Sequence, residues 1–142
     1  MPIIVDASVA LAWALPDELS PYADAVLARV ESEGLQVPEL WPREIANGLA
    51  IAYMRQRITI AQEQEFIDAL SRLTINVEQL DALQIIRDGA AAARQYGLTA
   101  YDAAYVELAA REGLPLATLD SRMQAAAIKA GVEIFGVAGD KP

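Results

Sequence analysis

The chain has no cysteine and no histidine among its 142 residues. The first absence excludes disulfides, thiolate metal sites and cysteine nucleophiles. The second removes the commonest general base, the commonest zinc ligand and every Ser-His-Asp arrangement. Positive charge is also scarce. Eleven Lys and Arg stand against 20 Asp and Glu, for a formal net charge of −9. Nucleic-acid binders usually show a basic face, so charge alone argues against one. A carboxylate cluster holding divalent cations would reverse that sign locally. An acidic chain would also suit a basic protein partner. Charges interrupt every apolar stretch, so no segment reads as a membrane span. The opening MPIIVDASVA has no basic region before its apolar run and reads as a strand, not a signal peptide. The expectation is a soluble, cytoplasmic protein. Any catalysis has to come from carboxylates, hydroxyls, Lys, Arg or a bound cofactor.

What is present is apolar material, 54% of the residues, enough for a core in one domain spanning 1–142 with a frayed end at 138–142. Ile3, Ile4 and Val5 form a β-branched run that ends at Asp6. A short helix is expected over Ala7 to Leu15, stopped by Pro16, and another over Tyr22 to Glu33, closed by Gly34. Leu35 to Val37 reads as a strand. Pro42 opens the next helix. Thr59 and Gln62 have the spacing of a capping box. Ile75 to Val77 is a third strand, and Asp81 caps a helix that Gly97 ends. Thr99 begins another helix, closed by Gly113. Strands follow over Leu114 to Thr118 and Val132 to Phe135, with a helix capped by Asp120 or Ser121 between them. Short apolar strands separated by helices predict an α/β fold with a parallel sheet.

Four acids fall at telling places on this pattern. Asp6 ends the first strand, and Asp120 follows LPLAT by one residue. Ligands bind beyond the carboxyl ends of parallel strands. Glu44 and Asp102 lie in first turns of helices, which start at that same edge. Each has a local explanation. Asp6 and Asp120 suit helix N-caps, Glu44 suits the positive end of a helix, and Thr99-x-x-Asp102 resembles a capping box. Together they suggest more. Packed carboxylates repel and tend to hold protons unless a divalent cation sits among them. Mg²⁺ prefers oxygen ligands, and it orients and acidifies water without any histidine. Nucleotide-binding loops of the G-x-G-x-x-G or G-x-x-x-x-G-K-[ST] type are missing after the first strand.

IIVDASVALAW, PREIANGLA, LTAYDAAYVELA and LATLD, in that order, resemble the four acidic motifs of the PIN domain, and more narrowly the VapC-type toxin ribonucleases. The resemblance implies a three-layer α/β/α fold with a short central parallel sheet. It implies that Asp6, Glu44, Asp102 and Asp120 are the catalytic, metal-binding acids, with Mg²⁺ or Mn²⁺ as cofactor. Ser8, Asn47 and Thr118 match polar residues that orient such ligands. Arg43 and Arg122 are the candidate phosphate contacts. Arg55 and Arg57 are candidates for a groove rim or dimer contact, and Trp13 and Trp41 for core or interface. The implied activity is endoribonuclease cleavage leaving a 3′-hydroxyl and a 5′-phosphate, in a homodimer neutralised by a cognate antitoxin. Two other readings stand beside it: a housekeeping PIN nuclease acting in RNA maturation, and a catalytically silent interaction module of the same fold.

Overall fold

The computed structural model describes residues 1–136; the fraying expected at 138–142 lies outside them. Along the chain run β1 (Ile3–Val5), α1 (Ala7–Ala14), α2 (Pro21–Glu33), β2 (Leu35–Val37), α3 (Trp41–Met54) and α4 (Ile60–Leu70). They are followed by β3 (Ile75–Val77), α5 (Ala82–Tyr96), α6 (Ala100–Glu112), β4 (Leu116–Ala117) and α7 (Ser121–Lys129). The four strands form one parallel sheet in the order β3-β2-β1-β4. Ile3 pairs with Leu35, and Val5 with Ala117. Helices cover the sheet, as the α/β expectation requires. α1 packs against α2, α3 and α4, while α6 packs against α5, α7, β1 and β4.

β1 and β4 are continuous buried apolar runs because they are covered on both faces. Ile3, Ile4 and Val5 are all fully buried. Removing each from water contributes roughly 1.5–3 kcal/mol. Gly48 on α3 lets α1 come close: a Cβ there would lie 2.4 Å from a Leu11 methyl.

Helix ends match the sequence closely. Thr59 and Gln62 form a full capping box, Asp81 accepts from the Gln84 N–H, and Gly97 and Gly113 close their helices in left-handed geometry. Trp41 is buried, and the Trp13 indole donates to the Ala23 carbonyl at 2.8 Å. Two expectations change. The strand expected over Leu114 to Thr118 is ladder-paired only at Leu116–Ala117. The one expected over Val132 to Phe135 is a single bridge from Ile134 to Leu116. Arg57 grips Asp17 with two hydrogen bonds and Glu18 with a third. That ties the α3–α4 turn to the α1–α2 turn.

Candidate active site

The sheet order places a crevice between β1 and β4. From β1 the chain moves outward to β2 and β3, then returns to the opposite side of β1 to lay down β4. Where neighbouring strands send their connections to opposite sides, the crevice at their carboxyl ends is left open. Asp6 follows β1 directly, and Asp120 follows β4 by three residues.

Asp6 is 3% exposed and fixed at both oxygens. Its Oδ1 accepts from the Ser8 hydroxyl at 2.7 Å and from the Val9 N–H at 3.1 Å, which also caps α1. Its Oδ2 accepts from the hydroxyl of Thr118, a fully buried residue, at 2.5 Å. Thr118 Oγ1 in turn accepts the Asp120 N–H at 3.0 Å. Ser8 Oγ takes the Leu119 N–H at 3.4 Å. Gln124, on α7, steadies this loop by donating to the Thr118 carbonyl at 3.0 Å. Asp120 caps α7 through Oδ1 alone, taking the Arg122 and Met123 N–H groups.

Glu44 projects from the first turn of α3 and is half-buried. Its Oε1 accepts from the Tyr105 hydroxyl at 2.5 Å. Asp102 sits in the first turn of α6, behind the Thr99 cap.

Burial and neighbouring charges oppose the ionisation of Asp6, Glu44 and Asp102. Burial, then the Asp120 charge, pushes Asp6 above its ordinary range, against the pull of Thr118, Ser8 and the Val9 N–H. Glu44 is pushed up by burial and by the charges of Asp102 and Asp6. Asp102 is pushed up by burial and by Asp120, and Arg122 opposes this. The Tyr105 phenol is raised by burial, by its bond to Glu44 and by the nearby charges, so it stays protonated. Four pairings (Asp6–Asp120, Asp6–Glu44, Glu44–Asp102 and Asp102–Asp120) thus close a ring.

As the side chains stand, no three acids among the described residues are close enough to ligate one ion directly. The donor chemistry nonetheless fits a hard divalent cation. All the donors are oxygens, Arg122 is among the described residues the only cation whose charge opposes the rise of these acids, and Mg²⁺ commonly reaches part of its ligand set through its own waters.

The other sequence candidates divide. Ser8 and Thr118 hold Asp6, and Arg122 faces Asp102. Asn47 is exposed, and no hydrogen bond from its amide is found among the described residues. Arg43 is exposed and lines a separate cleft with Leu40, Ile85 and Tyr101. Tyr105 and Gln124 were missed. Tyr105 lies three residues after Asp102 on the same helix, so that spacing was the available signal.

A model of the PIN domain matches residues 3–129. The chain belongs to the PIN domain family. Ribonuclease VapC3 of Pyrobaculum aerophilum is 32% identical to it over 126 residues, 87% of this chain and 92% of that protein. Ribonuclease VapC9 of Mycobacterium tuberculosis is 33% identical over 125 residues, 85% of this chain and 87% of its own length. The crystal structure of PAE2754 from Pyrobaculum aerophilum superposes with a TM-score of 0.67 at 27% identity, covering 89% of this chain and 86% of that one. The match to the PIN model takes in all four acids of the ring.

Proposed function

We propose that this PIN domain is a metal-dependent endoribonuclease, the toxin of a type II toxin–antitoxin pair. The observation that carries the reading is the ring of carboxylates at the β1–β4 crevice, in which burial and the neighbouring acids raise the pKa of Asp6, Glu44 and Asp102. The relatives named as ribonucleases supply the substrate class. Asp6, Glu44, Asp102 and Asp120 would hold Mg²⁺ or Mn²⁺. Such an ion supplies positive charge for the scissile phosphate and acidifies the attacking water.

The protein's own part is to hold and to orient. Two hydroxyls fix Asp6, so its carboxylate enters the site in one orientation. Asp120 spends one oxygen on the helix and keeps Oδ2 for the site. Arg122, at the start of α7 beside Asp102, is placed to meet a phosphate oxygen at the rim. Arg43 would contact RNA farther out. With only 11 Lys and Arg in the chain, RNA affinity depends heavily on the bound ions. An antitoxin that neutralises the site with a basic residue suits the −9 charge. The antitoxin and the homodimer follow from the resemblance to VapC-type toxins.

The test is cleavage of several structured RNAs with Mg²⁺, Mn²⁺ or EDTA, using wild type and Asp6→Asn. Cleavage that needs metal and collapses in Asp6→Asn supports the enzyme; equal behaviour of both proteins refutes it. Growth arrest on expression without a partner supports the toxin role. Normal growth with abundant folded protein counts against it.

A further inference from the structure

The function just described uses every buried polar side chain around the ring except that of Tyr105. This residue is 1% exposed, and its position one turn after Asp102 on α6 turns it inward. Its hydroxyl donates to Glu44 Oε1, joining positions 61 residues apart in the chain. One hydroxyl therefore ties α6 to the first turn of α3, which carries Glu44.

The two central acids are held in parallel ways. Asp6 has Ser8 and Thr118. Glu44 has Tyr105, and among the described residues no other hydrogen bond reaches its carboxylate. A glutamate reaches farther than an aspartate and has more side-chain torsions to settle, so it gains more from being held. A buried phenol also needs a partner of its own, and here the carboxylate supplies it.

We propose that Tyr105 is a positioning residue: its hydroxyl fixes the Glu44 carboxylate in the orientation that takes a divalent cation together with Asp6, and so sets the metal affinity of the site. This rests on the reading of the ring as a metal site. Tyr105 touches neither substrate nor ion.

The test uses Tyr105→Phe, which keeps the buried ring and removes only the hydroxyl. Mn²⁺ is titrated into the protein without RNA, and free Mn²⁺ is followed by electron paramagnetic resonance. Thermal unfolding is recorded in EDTA. The Mn²⁺ dissociation constant is expected to rise about ten- to a hundredfold, the range for lost supporting contacts around a metal ligand. Cleavage at saturating Mn²⁺ is expected to recover, with the half-activating Mn²⁺ concentration shifted by the same factor. In a Glu44→Gln background, adding Tyr105→Phe should cause no further loss of Mn²⁺ binding, because the oriented group is gone. Unchanged Mn²⁺ affinity in Tyr105→Phe overturns the proposal, and a lower melting temperature alongside it marks the tyrosine as core packing only. If Glu44→Gln loses Mn²⁺ binding while Tyr105→Phe keeps it, only the role of Tyr105 falls. If wild type binds no Mn²⁺, or Glu44→Gln binds it equally well, the metal site falls and takes the proposal with it.

Discussion

Replacing Thr118 by valine tests the support of the site independently of catalysis. Valine matches threonine in shape but has no hydroxyl. The native hydroxyl donates to Asp6 Oδ2 and accepts the Asp120 N–H at 3.0 Å, and Thr118 is fully buried. Losing a hydrogen bond to a charged partner costs about 1.5–3 kcal/mol. The Asp120 N–H, left without its acceptor, adds roughly 1 kcal/mol. The extra buried methyl returns up to about 0.8 kcal/mol. The net loss is roughly 2–3 kcal/mol, or a melting temperature lower by about 6–12 °C for a domain near this size. Thr118→Ser, which keeps the hydroxyl, should lose only about 1 kcal/mol for its missing methyl. Thermal and urea unfolding in EDTA measure both variants.

The loss has a pH signature. Burial holds Asp6 above the ordinary value of 3.8, and the Thr118 hydroxyl opposes that rise. Valine therefore raises the folded-state pKa further. A group whose folded pKa exceeds its unfolded one contributes stability below the unfolded value, and loses that contribution as pH rises through the folded value. The gap between wild type and Thr118→Val should thus be wider at about pH 7.5 than at about pH 4.5. A gap that is equal at both, or smaller than about 1 kcal/mol, would refute the view that this hydroxyl stabilises the Asp6 carboxylate.

Asp102→Asn should reduce RNA cleavage by orders of magnitude and leave a cooperatively folded protein, checked by gel assay and circular dichroism. Full activity would reduce Asp102 to a helix-start residue. Mn²⁺ at about a hundred times its dissociation constant should stabilise wild type by roughly 2.7 kcal/mol. The same rise in Glu44→Gln would show that the ion binds elsewhere. Gly34 ends α2 at φ +80°, and a Cβ there would meet the Thr74 carbonyl oxygen at 3.0 Å. Gly34→Ala should therefore cost about 1–3 kcal/mol in urea unfolding, and an unmoved midpoint would contradict it.

Much of the fold was legible because helix ends are set by local chemistry. Thr59 with Gln62, Asp81, and the glycines at 97 and 113 act within a few residues of themselves. Strand extent depends on partners far along the chain. Val132 to Phe135 has the composition of a strand, yet only Ile134 meets β4 in a bridge. The acids could be placed at one edge from strand ends alone. Their arrangement around the β1–β4 crevice depends on strand order, which composition and periodicity do not encode. Tyr105 was missed for a further reason, despite its spacing from Asp102. On the apolar face of α6 it reads as core, which it is, and the acceptor for its hydroxyl lies 61 residues away.

Weighing each acid as either a helix cap or a site ligand also sets up a false choice. Asp120 makes both of its capping bonds through Oδ1, so capping fixes the side chain without using Oδ2. Asp6 likewise caps α1 through Oδ1 while Oδ2 is held by Thr118. At these two positions the local role makes the carboxylate rigid, as the proposed ligand role requires. It follows that Asp120→Asn and Asp120→Ala should differ in stability. Asparagine retains a capping oxygen, whereas alanine forfeits the cap and about 1 kcal/mol. In RNA cleavage the two should be equally impaired, since neither supplies a carboxylate to the ring. Equal stability with unequal activity would separate the two roles and undo the argument that one side chain performs both.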